Sequence, residues 1–242
     1  MTPIMSMAGR GSTLPMRLAT ALPVVLLTVV LAAPAAGAQT KRKSSTRKPA
    51  KPAASALKKE PVVAQCGAEL GTGVRTTRRF CDVLAAGDPA SAVVVPVPPH
   101  SGTATLTFDL HNRHTYSEQE VKTGRAFAQY TAMVRVVGPD GQVLERAAVQ
   151  SAFRSPADLV DRIAGGAGPG GVKAVAPLGT ETITVTLPAA MSEVTLVGER
   201  LTVETLQGRS SYSSPGRPVA IVSNVAIEYR PAAAKKTPAR RP

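Results

Sequence analysis

The stretch TATLTFDLH at 103–111 is apolar at every second residue: Ala104, Leu106, Phe108 and Leu110 share one side, and Thr103, Thr105, Thr107, Asp109 and His111 the other. Successive side chains of an extended chain point to opposite faces, so this pattern predicts a strand with one buried and one wetted face. The same period returns at 181–187, where Ile183, Val185 and Leu187 oppose Thr182, Thr184 and Thr186. It returns again at 219–229, where Val219, Ile221, Val225, Ile227 and Tyr229 are expected together. Residues 126–137 read as a more fully buried strand, which turns at Gly138-Pro139-Asp140-Gly141 into an antiparallel partner at 142–153. Between 194 and 203 the apolar parity changes, which predicts a β-bulge at Gly198.

One short helix is expected after these hairpin strands. Ser155 as N-cap, Pro156 at the first helical position and Asp158 three residues after the cap suit a helix start, Leu159, Val160 and Ile163 give it an apolar side, and Gly165-Gly166 end it. About eight strands at this spacing predict a mainly β chain, an antiparallel β-sandwich. A jelly roll is preferred over an immunoglobulin-like sandwich, because Cys66 and Cys81 precede the clear strands and no core Trp follows them.

The chain has 242 residues, 29 Lys plus Arg against 16 Asp plus Glu, and a formal net charge of +13. The positive charge is concentrated at the ends. Residues 41–59 hold eight Lys or Arg and residues 230–242 five, with no acid in either, so that the body at 60–229 keeps 14 basic residues against all 16 acids. Both basic stretches are rich in Ala, Pro, Ser and Lys and lack large apolar residues, so they are expected to be disordered tails. A linker-histone-like composition is all they share with known polyanion-binding tails.

Arg10 and Arg17 precede an apolar run at 18–33, followed by Ala36-Gly37-Ala38, the order of charges, apolar core and small-residue site of a secretory signal peptide. The expected organisation is a signal peptide at 1–38, a basic linker at 39–59, a disulfide-containing N-terminal segment at 60–89, the sandwich at 90–229 and a basic tail at 230–242. Export to the periplasm or the cell exterior makes a Cys66–Cys81 disulfide the expected pairing, and closing a loop of this length contributes about 3 kcal/mol. The Ala-, Arg-, Pro- and Val-rich composition suggests a bacterial source.

No nucleophile-elbow, zincin or EF-hand motif is present, and the glycine run GGAGPGG at 165–171 follows the expected helix instead of opening it, so it reads as a flexible loop. Asp109, His111 and His114 form a candidate metal set: the first two share a strand face, and His114 could fold back from a following loop to complete a Zn²⁺ site with an open water position, as in a metal-dependent hydrolase. A solvated polar face is the preferred account of these residues. Arg75, Arg78 and Arg79, inside the cysteine loop, are a candidate anion-binding cluster. Tyr116 and Tyr212 are candidate stacking residues for a carbohydrate-binding module. The expectation is a non-enzymatic exported module of the cell envelope without a cofactor, whose tails contact an anionic polymer or a membrane surface. Nucleic acid is an alternative partner for the tails only if the chain is not exported.

Overall fold

The computed structural model describes residues 56–86 and 89–233. Met1–Lys51 lies outside the described residues, all of which belong to the unit Pro52–Pro242. The expected signal peptide, most of the basic linker and the end of the basic tail also lie outside them. Among the described residues are twelve strands: β1 (Lys58–Pro61), β2 (Gln65–Cys66), β3 (Glu69–Thr72), β4 (Arg79–Leu84), β5 (Val93–Pro96), β6 (Ala104–Thr115), β7 (Ala128–Val137), β8 (Val143–Phe153), β9 (Val175–Leu187), β10 (Glu193–Thr205), β11 (Gly208–Tyr212) and β12 (Pro218–Tyr229).

They form two antiparallel sheets. The first runs β3-β4-β12-β6-β9, with β1 also on β12, and the second runs β2-β5-β10-β7-β8, with β11 also on β10. Four pairs, β4/β12, β5/β10, β6/β9 and β7/β8, nest inside one another along the chain. This is one long antiparallel ribbon folded over so that alternate pairs fall in opposite layers, the jelly roll. Its core lies between the layers, where Leu106, Phe108, Leu110, Val134, Val149, Leu196 and Ile227 are at most 1% exposed.

The bulge expected at Gly198 is present as a register shift against β7 between Gly198 and Arg200. A Cβ on Gly198 would meet Val219 Cβ at 2.7 Å, so close packing requires glycine there. A second bulge corrects the face assigned to β12. Its register against β6 shifts between Ser223 and Ala226, and Asn224 sits at φ 51°. Before this bulge Ala220 and Val222 join the main core, while Ile221 packs outside it with Leu70, Phe80 and Ile163. Ile221 therefore does not share a face with Val225, Ile227 and Tyr229.

Three further expectations change. The strands begin well before residue 90: Lys58 and Lys59, assigned to the linker, pair with Tyr229 and Glu228. Cys66 and Cys81 do not precede the sheets but bridge them, from β2 in one to β4 in the other, with Cα atoms 5.7 Å apart. No helix forms at 155–165. Pro156–Asp158 makes one 3-10 turn, in which the Ser155 N–H donates to Asp158 Oδ2 at 2.7 Å, and Leu159 is already extended. The start signals were real, but the segment gains more by burying Ile163 (0% exposed) and bridging Leu178 and Gly73 than by closing helical turns. The single α-helix among the described residues, α1 (Glu118–Lys122), instead follows Ser117, whose Oγ accepts from the Glu120 N–H at 3.3 Å.

The connection from β8 to β9 is thus a strap. Val160 donates to Pro177 O, Ala164 to Thr72 O and the Val74 N–H to Arg162 O, each at 2.9 Å, so it ties the β9 side of the first sheet to the β3 side. Ile163 beneath it seals Leu70, Phe80 and Ile221 into a second small core on that sheet's outer face.

Candidate functional site

Asp109, His111 and His114 do not meet. β6 continues to Thr115, so His114 cannot fold back, and residues three apart on a strand face opposite ways. His111, fully buried on the outer face, lies 2.7 Å from Gly179 O through Nδ1 and 2.9 Å from Ser223 Oγ through Nε2. A carbonyl only accepts, so Nδ1 carries the proton and Nε2 accepts from the serine. Burial lowers the His111 pKa, which favours the neutral ring. Asp109 accepts from Thr182 Oγ1 at 2.9 Å and Asn224 Nδ2 at 2.7 Å, which fixes the β12 bulge, with Arg78 at 3.6 Å. His114 points into the sandwich, stacks on Phe153 at 3.9 Å and contacts Tyr130 Oη at 2.8 Å. Burial lowers its pKa to about 4 and raises that of Tyr130 to about 12. No group of three metal-ligating side chains occurs among the described residues.

The three arginines also diverge. Arg79 pairs with Glu69 at 2.9 Å, Arg78 reaches Asp109, and Arg75 Nη2 donates to Val160 O at 2.8 Å. The loop that carries them does hold an anion, but it is the protein's own. Asp161 of the strap accepts from the N–H groups of Arg75, Thr76 and Arg162 at 2.7–3.1 Å and from Thr76 Oγ1 at 2.6 Å. Burial alone would raise the Asp161 pKa, but these hydrogen bonds outweigh it and hold the carboxyl below its usual range.

Both candidate tyrosines have an arginine on the ring, Arg217 over Tyr212 at 4.3 Å and Arg162 over Tyr116 at 4.1 Å. Tyr116 lines a cleft of about 480 Å³ with Glu118, Arg162, Lys173 and the glycine loop at 166–169. That loop is compact: a Cβ on Gly166 would strike Val172 O at 2.3 Å. The Tyr116 N–H donates to Ala174 O at 2.6 Å, Lys173 Nζ donates to Leu70 O, and Arg162 Nε is buried without an acceptor. The cleft thus gathers an aromatic ring, two cations and one carboxylate, a set suited to holding a ring that bears an acid group and hydroxyls. Arg162 and Lys173 escape a sequence reading because nothing in the expected helix and loop brings them to Tyr116; only the strap does.

No helix among the described residues is long and apolar enough to cross a membrane. The disulfide fits an oxidising compartment. No protein-family model matches the chain, and no curated protein sequence does. Among solved structures, the K1 cleaved adhesin domain of Lys-gingipain from Porphyromonas gingivalis W83 is 11% identical, with a TM-score of 0.30, covering 73% of this chain and 91% of that one. The VP2 subviral particle of infectious bursal disease virus is 12% identical at a TM-score of 0.25, covering 73% of this chain and 34% of that one. The catalytic domain of a GH87 α-1,3-glucanase in complex with nigerose is 11% identical at 0.24, covering 76% of this chain and 30% of that one. The chain is similar to these structures only weakly, and its jelly roll follows from its own strand pairing.

Proposed function

We propose that the chain is an exported, non-enzymatic binding module of the bacterial cell envelope, and that it takes an acidic polysaccharide in the strap cleft. The observation that carries this reading is the open cleft that brings the Arg162 guanidinium, 4.1 Å over the Tyr116 ring, together with Lys173 and Glu118. A carboxylate is the natural partner for a guanidinium edge, the ring offers an apolar face edge, and Glu118 accepts from sugar hydroxyls. The basic stretches add a salt-sensitive attraction of about 1 kcal/mol for each Lys or Arg near an anionic surface. They need not carry the specificity.

The test is binding of the full chain to a uronate polymer, with a neutral glucan as control. Arg162→Gln is expected to weaken uronate binding by about tenfold, because it deletes a charge-assisted hydrogen bond. Deletion of residues 39–55 is expected to lower the salt dependence while leaving the preference for uronate. Equal binding by wild type and Arg162→Gln rejects the cleft as the site.

A further inference from the structure

We propose a second, independent binding site on the opposite sheet, where Arg135 takes the oxyanion group of a small ligand. Arg135 lies on the outer face of β7, directly across from Arg146 of β8. Two like charges facing each other across an antiparallel pair repel, and each calls for an anion. Arg146 has one: its Nε lies 3.2 Å from Glu199 Oε1, and its backbone N–H donates to Glu145 Oε1 at 2.9 Å. Among the described residues Arg135 makes no ion pair, and its Nε is buried without an acceptor.

It also borders a space that could hold the missing partner. A cleft of about 390 Å³, within the size range of small-ligand sites, is lined by Arg135, Val197, Leu84, Ala92 and the β7–β8 turn at Gly138 and Gly141. Apolar residues make up most of the lining, with Ser91 and Thr195 as neutral polar groups and the guanidinium as its one cation. A planar fork of N–H donors in partly dry surroundings matches the two oxygens of a carboxylate or phosphate. Glu193 also lines the cleft and adds a negative charge, so a ligand with one anionic group is preferred over a polyanion. The site shares no residue with the strap cleft and stands or falls without it.

The experiment follows the Arg135 Nε–Hε signal of the isotope-labelled full chain by NMR, during separate titrations with inorganic phosphate and with acetate. At least one of them is expected to shift that signal and the Gly138 and Gly141 amides along a saturating curve, and which one does identifies the class of oxyanion. Arg135→Gln should weaken this binding about tenfold, read on the glycine amides, and Arg135→Lys should recover it only in part because the fork is lost. Arg146→Gln and Arg162→Gln should keep it. The proposal is overturned if neither anion gives a saturating shift, if Arg135→Gln binds as the wild type does, or if binding disappears in Arg162→Gln while Arg135→Gln retains it.

Discussion

The two sheets arise from one folded ribbon, yet their outer faces differ. On the first, Phe80, His111 and Ile221 point away from the sandwich core and are nevertheless fully buried, because the strap from β8 to β9 lies across them. On the second, the outward residues of β7 and β10, such as Thr131, Met133 and Thr202, stay partly open, and Gln150 of β8 and Ser211 of β11 are exposed. Jelly-roll pairing alone leaves both outer faces to water. A connection of about twenty residues, pinned by one aspartate, turned one of them into a second core and in doing so built the strap cleft at its margin.

Three substitutions test that contrast, from the greatest effect to the least. Phe80→Ala should remove about 4 kcal/mol of unfolding free energy in a urea titration, the range for a fully packed phenylalanine. A loss below about 1 kcal/mol would mean that the strap covers the face without packing on it. Asp161→Ala strands four donors and should cost about 2 kcal/mol. The same latch gives a pH signature. The folded pKa of Asp161 is depressed, so its contribution is complete above the unfolded carboxylate range and is lost as pH falls through the lower folded value. Proteolysis within 165–171 should therefore accelerate in strong acid for the wild type and already at neutral pH for Asp161→Ala. On the open face, Thr202→Ala should change stability by no more than about 0.5 kcal/mol.

Sequence alone revealed the strands whose faces differ in polarity. β6 and β9 follow their alternation, the turn at 138–141 joins β7 to β8 as expected although β7 alternates buried and half-buried residues instead of being buried throughout, and the shift of parity at Gly198 located a real bulge. It failed where a face was covered from outside. In β4, Phe80 and Asp82 point outward while Cys81 and Val83 point inward, so burial on both sides erased the period. The bulge at Asn224 was hidden because apolar residues flank it on both parities. In the strap, capping signals that suit a helix served a single turn. The candidate sites suffered most, because each depended on a long-range contact. Tyr116 could be named as an aromatic outside the core, but Arg162 reaches it from 46 positions away only because Asp161, its neighbour, is bound in the cysteine loop.

The pairing of Lys58 with Tyr229 sets the first residue of β1 beside the last of β12, about 5 Å away across the ladder. The folded body is therefore held by both feet at one point. It could be spliced into an exposed turn of an unrelated host without stretching either strand, or rewired by joining 57 to 231 and opening the hairpin at 138–141.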